Sequence, residues 1–302
     1  MPVSTGQVST SYFYDRAASA MGKLSAQADT LQTQIATKKK LAAPSDDSVG
    51  YARLRTLAQD SADAKVQGGN LDLAASLLAQ GDSTLGAMGA QLQAASELAI
   101  SVRNGSADPT ARGATADALD SIRDQLISLG NMTDARGQPL FGGADGGAAV
   151  TVRADGSYAF AATQPSAIPT GNGQTVQPGE TAARIFKVGG SDMLSMLTQL
   201  SAALRSGTDV DAAASTAVDG LAAAGTQVLT VQASLGARAA RVDLDQAALA
   251  QSGVDREAAR SGIEDTDITA AITELQKTMT ILSATQASFT KLQALSLFDY
   301  LR

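Results

Sequence analysis

Two pairs of neighbouring acidic residues come nearest to a catalytic or metal-binding arrangement in this sequence. They are Asp46 with Asp47 and Glu264 with Asp265. Paired carboxylates can act as general acid and base in hydrolysis, and they can ligate divalent cations. The 302-residue chain contains no His and no Cys, which removes the commonest general base, the commonest metal ligand and the thiol nucleophile. We therefore predict that the protein is not an enzyme and has no catalytic residue, metal site or cofactor.

The only cationic run is Lys38–Lys40. Cations stabilise the carboxyl end of a helix, because the helix dipole is negative there. We interpret the run as a solvated helix end rather than an anion site. The chain carries a formal net charge of −7, whereas a protein that binds nucleic acid needs a basic surface. We expect no nucleic-acid partner.

No segment has the properties of a membrane anchor or of a cleaved signal. The chain has no run of about 18 apolar residues, which a transmembrane helix requires. The first 24 residues lack the basic stretch and following apolar stretch of a secretory signal peptide. We expect no membrane insertion, and export by a route that needs no cleaved signal if the protein leaves the cell.

The composition favours long helices over a single large core. Aromatic residues make up only 4% of the chain, and Trp is absent. Alanine, the best helix former, is abundant. All seven prolines lie at or before Pro178, so the remainder of the chain contains none of the residues that break helix interiors.

Two series of residues, one near each end of the chain, follow the spacing of a helical heptad seam. Each series alternates steps of three and four residues. The first consists of Tyr14, Ala17, Met21, Leu24, Ala28, Leu31 and Ile35, and the second of Ile268, Ile272, Leu275, Met279, Leu282, Gln286 and Phe289. We expect the two seams to pair. The predicted fold is mainly α, with a long antiparallel helical bundle or coiled coil formed by the N- and C-terminal parts.

Start and stop signals divide the rest of the chain into further helices. Pro44 ends the first helix, and the acidic residues after it favour a new helix start. Asn104-Gly105 is typical of a helix end, and Asp108-Pro109 of an N-cap followed by the first helical residue. The predicted helices cover residues 48–103, 109–132, 192–205 and 210–251, with a break over 252–267 before the last helix.

The middle of the chain is rich in Gly and Pro and is predicted to form a small β-rich domain. Alternating residues on either side of Asp155-Gly156 predict a hairpin with a tight turn, and residues 183–188 are a third candidate strand. We therefore predict three domains. They are a terminal coiled-coil assembly domain of residues 1–44 plus 264–302, a helical rod domain of 45–136 plus 191–263, and a β-rich outer domain of 137–190.

The last residues form an apolar set that nothing follows. Chain ends are usually frayed and polar, and a lone pair of Ala-rich helices offers few large side chains to cover such a set. We therefore predict that adjacent subunits cover the terminal helices, the alternative being an ordinary core closed within one chain. The predicted assembly interface comprises Tyr14, Met21, Leu24, Leu31, Ile35, Ile268, Ile272, Leu275, Met279, Leu282, Phe289, Leu292, Leu295, Leu297 and Phe298.

Several stretches resemble the flagellin superfamily. They are "APSDDSVGYARL" after the first helix, "LQAASELAISVRNGS" at the end of the second, "LTVQASLGARAARVD" in the long later helix and "SGIEDTD" before the last one. "RGQPLFGG" and the ending "LSLFDYLR" are similar to the branch whose members join the flagellar hook to the filament. The resemblance spans both ends of the chain, whereas the middle matches only in position and β character.

The resemblance implies a structural subunit of the bacterial flagellum. It would be exported unfolded through the flagellar type III route, with an export chaperone and without cleavage, and would act outside the cell. It would form a ring of subunits between hook and filament, with the terminal helices innermost and the β-rich domain outermost. Its partners would be further copies of itself, the neighbouring hook-associated protein and flagellin.

Two alternatives remain open at this point. A filament-forming flagellin has the same terminal seams but polymerises indefinitely. A self-contained surface binding module would close its seams within one chain and use the β-rich domain for contact.

Overall fold

A computed structural model describes residues 5–105, 108–143 and 146–300, with side chains described in the terminal helices at Tyr12 and from Tyr14 to Lys291. In chain order the elements are α1 (Thr5–Thr37), α2 (Ser48–Asn104), α3 (Pro109–Gly130), β1 (Val150–Val152), β2 (Tyr158–Phe160), β3 (Ile168–Gly171), β4 (Gln174–Val176), α4 (Ala182–Phe186), β5 (Lys187–Val188), β6 (Ser191–Asp192), α5 (Met193–Ser206), α6 (Val210–Glu264) and α7 (Ile268–Tyr300). The chain is mainly α with a small strand-containing middle, which confirms the predicted fold class.

The chain forms two compact units. The terminal unit comprises the described residues up to Ala62 and from Ser252 onward, and the central unit runs from Asp63 to Gln251. Within the terminal unit, α1 packs along α7. Tyr14 lies against Phe289 at one end of the pair, and Lys39 lies opposite Asp265 at the other, so the two helices run antiparallel.

The central unit is built around α2, α3, α5 and α6, whose apolar faces meet in one hydrophobic core. Buried residues of α6 recur mostly at steps of three and four, the spacing of a single helix face. They are Ala214, Ala217, Leu221, Ala224, Val228, Val231, Leu235 and Val242. Small residues bring the helices close together. A methyl group added to Gly81 of α2 would lie only 2.8 Å from Cδ2 of Leu235.

Local capping explains where the central helices begin and end. The predicted start of α3 is confirmed, because the Asp108 carboxylate accepts a hydrogen bond from the backbone N–H of Ala111 at 2.8 Å. Asp192 caps α5 in the same way, accepting from the N–H of Ser195 at 2.8 Å. Gly207, in the left-handed conformation with φ 72°, ends α5.

The described residues of the middle segment, 137–143 and 146–192, form three separate two-stranded antiparallel sheets. The predicted hairpin is confirmed, since β1 pairs with β2 across a turn that contains Gly156 at φ 79°. A second hairpin, β3–β4, was not predicted. Its turn is Asn172-Gly173, with φ of 52° and 72°, and Asn-Gly favours the tight turns in which both central residues have positive φ.

The third predicted strand is wrong for most of its length. Residues 182–186 form α4, which Thr181 caps by accepting a hydrogen bond from the N–H of Arg184 at 3.2 Å. Ile185 and Phe186 are neighbours and both are fully buried, whereas side chains of a half-exposed strand alternate between its two faces. Phe186 stacks on Phe160, with ring centroids 5.3 Å apart, and so joins the hairpin to the core.

The predicted break before the last helix is also wrong for most of its length. Helix α6 continues through Gly253 and Gly262 to Glu264. Each glycine costs a helix interior about 0.5–1 kcal/mol relative to Ala, which is too little to end a long helix that contains no proline. The last helix, α7, begins at Ile268. Asp267 caps it by accepting a hydrogen bond from the N–H of Ala270 at 3.0 Å.

Candidate assembly surface on the terminal helices

Small residues lie where α1 and α7 touch, and an aromatic contact holds the pair at one end. Among the described side chains of the two helices, those of Ala28 in α1 and of Ala271 and Thr278 in α7 are buried. Small side chains allow two helices to approach closely. The rings of Tyr14 and Phe289 meet edge to face, with centroids 5.4 Å apart and planes at 89°.

The predicted interface residues of α1 lie along this pair but are not enclosed by it. Each keeps part of its surface in contact with water. These half-buried residues are Tyr14, Met21, Leu24, Leu31 and Ile35. A single partner helix therefore covers one side of the α1 seam and leaves the other side available.

Over its described side chains, from Ile268 to Lys291, α7 carries two apolar stripes, whereas one was predicted. The buried positions Ala271 and Thr278, with the half-buried Leu275, Leu282 and Phe289, form the stripe that packs against α1. A second stripe is exposed to water. It consists of Ile268, Ile272 and Met279, which are 37%, 41% and 44% exposed.

The predicted seam mixed these two stripes, because it followed the largest apolar residues. The packed stripe has small residues at every seventh position, Ala271, Thr278 and Thr285, and sequence reasoning missed them. Their heptad spacing was the signal that could have found them. The side chains of Leu292, Leu295, Leu297 and Phe298 lie outside the described residues.

The acidic residues that could have done chemistry stabilise turns of the backbone. Asp46 accepts hydrogen bonds from the N–H groups of Ala43 and Ala42, each at 2.9 Å, and these bonds hold the pKa of Asp46 below its ordinary value. Asp47 accepts from the N–H of Val49 at 3.0 Å and of Gly50 at 2.9 Å. Asp47 therefore caps the start of α2, whereas Asp46 stabilises the turn that precedes it.

The second acidic pair lies where the connection between α1 and α2 meets the connection between α6 and α7. Glu264 forms an ion pair with Lys39, and Asp265 accepts a hydrogen bond from the hydroxyl of Ser261. Across the described residues, no group of three or more His, Cys, Asp or Glu side chains is placed to hold a metal ion. Among the same described residues, no helix is both long and apolar enough to cross a membrane.

Comparison with known proteins connects these helices to one family. Residues 8–145 match the bacterial flagellin N-terminal helical region, and residues 218–301 match the bacterial flagellin C-terminal helical region. Flagellar hook-associated protein 3 of Salmonella typhimurium is 27% identical over 318 aligned positions, which cover 97% of this chain and 99% of that protein.

Solved structures share the fold. The crystal structure of Xanthomonas campestris FlgL aligns with a TM-score of 0.60 and 18% identity, covering 68% of this chain and 99% of that one. The flagellar junction protein FlgL of Legionella pneumophila aligns with a TM-score of 0.59 and 14% identity, covering 70% and 100%. With one helical region of flagellin matched in each half of the sequence, this chain belongs to the flagellin superfamily.

Proposed function

We propose that this protein is a structural subunit of the bacterial flagellum that joins the hook to the filament as a ring of subunits. The observation that carries the proposal is the exposed apolar stripe of α7, beside an α1 seam that is only half covered. Exposed apolar surface that continues along a helix is typical of a protein interaction site. The similarity to a hook-associated protein, over nearly the full length of both chains, supports a position at the junction between hook and filament.

In this proposal the terminal helices of adjacent subunits cover one another. The contact includes the predicted residues of α1 and α7 and extends to Leu292, Leu295, Leu297 and Phe298. The terminal coiled-coil domain lies innermost, residues 45–136 with 191–263 form the rod, and residues 137–190 lie outermost. Further partners are the neighbouring hook-associated protein and flagellin.

The protein reaches its place outside the cell through the flagellar type III export route. An export chaperone keeps the chain ready for export, and no signal peptide is cleaved. The basis for this step is the superfamily membership. The net charge of −7 makes nucleic acid an unsuitable partner.

The experiment that tests the proposal is immunogold electron microscopy of flagella from the bacterium that encodes the chain. A small epitope tag is inserted at the exposed turn around Gly173, and the control strain carries the untagged protein. We expect label only in a short zone between hook and filament. Label along the whole filament would instead identify a filament-forming flagellin, and unlabelled flagella with label elsewhere on the cell would support the surface module.

A further inference from the structure

The connections at the base of the α1–α7 pair are joined to each other. Lys39 and Asp265 form an antiparallel bridge. The N–H of Lys40 donates to the carbonyl of Glu264 at 2.8 Å, and the N–H of Thr266 donates to the carbonyl of Lys38 at 3.0 Å. We call residues 38–40 and 264–266 the clasp.

Side chains reinforce the clasp from both sides. The Glu264 side chain is only 12% exposed; one of its oxygens pairs with the Lys39 ammonium group, and the other lies 3.8 Å from Nε of Arg260. Lys40 Nζ donates to the carbonyl of Gly262 at 3.2 Å, and the amide of Gln34 donates to the carbonyl of Lys40 at 3.1 Å. Loss of Lys39 would therefore leave a largely buried carboxylate with one distant partner, which is unfavourable.

The backbone of the clasp also adopts a conformation that an isolated chain would avoid. Lys38 has φ 60°, in the left-handed region that side chains other than Gly, Asn and Asp disfavour. Such a conformation persists only where surrounding contacts determine it. The two backbone hydrogen bonds and the Lys39–Glu264 ion pair are those contacts.

The α1–α7 pair needs a feature that fixes its register. A heptad seam built from small and half-buried residues repeats after seven positions, so a shift by one heptad presents an equivalent surface. The connection between α1 and α2 spans residues 38–47. An extended segment of this length can absorb the shift of about 10 Å that one heptad represents.

The register of the clasp agrees with that of the helix pair. Counting from the Lys39–Asp265 bridge, Tyr14 lies 25 residues back along the chain and Phe289 lies 24 residues onward. The two helices therefore run for matching lengths between the clasp and the aromatic contact. Polar contacts at a single level of a helix pair are a well-attested means of specifying register.

We propose that Glu264 is a positioning residue, which through Lys39 locks the register of the α1–α7 pair and so sets the surface that the pair presents to other subunits. The part of this inference that concerns other subunits rests on the proposed function. The lock itself is a property of the single chain and is measured without assembly.

The test uses the full chain with nitroxide labels on cysteines introduced at Ser19 and Thr269, both exposed in the structure. The natural chain has no Cys, so the labels attach only there. Pulsed electron spin resonance measures the distance between a label on α1 and a label displaced along the pair on α7. The chain without further changes should give one distance.

Lys39→Met and Glu264→Gln each remove the ion pair and should add a second distance population, shifted by about 10 Å, one heptad of helix. Lys39→Arg keeps the charge and should give the original single distance. Lys38→Met is the matched control, because the Lys38 side chain is exposed and the residue contributes to the clasp through its backbone. It should also give one distance.

Two results would overturn the inference. In the first, Lys39→Met and Glu264→Gln both keep the single original distance. In the second, both give a broad distribution without a discrete shifted population, which would mean that the ion pair supports the helices without choosing their register. Neither result bears on the location of the protein, which the immunogold experiment decides separately.

Discussion

Tyr14 and Phe289, near opposite ends of the sequence, meet edge to face with ring centroids 5.4 Å apart. Aromatic side chains make up only 4% of this chain, so few residues could form such a contact. Edge-to-face pairs contribute beyond the surface they bury, because the positive edge of one ring meets the negative face of the other. This contact therefore anchors the end of the α1–α7 pair that lies farthest from the clasp.

The first prediction is that these two rings are energetically coupled. Phe289→Ala and Tyr14→Ala should each destabilise the α1–α7 pair, and the double variant should be less destabilised than the sum of the two by about 0.5–1.5 kcal/mol. Hydrogen exchange of the α1 amides in the monomer measures the stability of the pair. If the destabilising effects of the two substitutions were strictly additive, the two rings would not be energetically coupled.

The second prediction separates the two stripes of α7. Ile272→Asp places a charge on the exposed stripe, so the monomer should keep its helix content while incorporation into the flagellum is lost. Thr278→Asp places a charge at a fully buried position and should disrupt the α1–α7 pair itself. Circular dichroism of the monomer and immunoblotting of sheared flagella measure the two effects.

Thr280→Asp is the matched control for the second prediction. Thr280 is an exposed polar residue of α7 outside both stripes, so the variant should fold and incorporate normally. Normal incorporation of Ile272→Asp would remove the exposed stripe from the assembly surface, and failure of Thr280→Asp would show that any charge on α7 is harmful.

Whether a structural feature could be predicted from the sequence depended on whether nearby or distant residues determine it. The end of α2 at Asn104, the start of α3 at Pro109 and the hairpin turn at Gly156 could be predicted, because a few neighbouring residues determine each of them. The stripe through Ala271 and Thr278 was missed, because the heptad spacing of small residues is a weaker signal than that of the large apolar residues beside them. The ion pair of Lys39 with Glu264 was also not predicted, since it joins residues far apart in sequence. Lys39 was interpreted as part of a solvated helix end, and Glu264 was considered only as a neighbour of Asp265.

The third prediction concerns pH and the contact between α3 and α5. Arg205 of α5 donates to Asp117 at 2.8 Å and to Asp120 at 2.6 Å on α3. Burial raises the pKa of Asp120, but hydrogen bonds from Arg205 and Ser201 and the charge of Arg123 lower it more, so the pKa lies below its ordinary value. A carboxylate with a depressed pKa stabilises the folded state above its unfolded pKa, about 3.9, and loses that contribution as the pH falls through the folded value.

Asp120→Asn should therefore destabilise the protein by about 1 kcal/mol near neutral pH. The difference from the natural chain should shrink as the pH falls below about 4. Urea denaturation at a series of pH values measures it. Asp124→Asn is the control, since Asp124 is largely exposed and pairs with Arg123 of its own helix. A difference that stayed constant with pH would show that the carboxylate charge of Asp120 is not what stabilises this contact.

The fourth prediction concerns Glu180, which is fully buried where the middle segment meets α6. Its carboxylate pairs with Arg238 of α6 and with Arg184, the latter at 2.8 Å. Arg238 also donates to the carbonyls of Gly179 at 2.9 Å and Gln177 at 3.3 Å. One guanidinium group thus neutralises a buried charge and holds the backbone of the segment.

Arg238→Met should destabilise the central unit by about 3–5 kcal/mol, because it leaves the buried carboxylate with a single, half-exposed arginine. Urea denaturation and, separately, hydrogen exchange of the α6 amides measure the loss of stability. Arg241→Met is the matched control, since the Arg241 hydrogen bond to Gln174 is exposed, and it should change stability by no more than about 0.5 kcal/mol. Adding Glu180→Leu to Arg238→Met should restore part of the stability, because the unpaired charge is then gone. If the double variant were no more stable than Arg238→Met alone, the loss would come from the hydrogen bonds to Gly179 and Gln177 rather than from the buried charge.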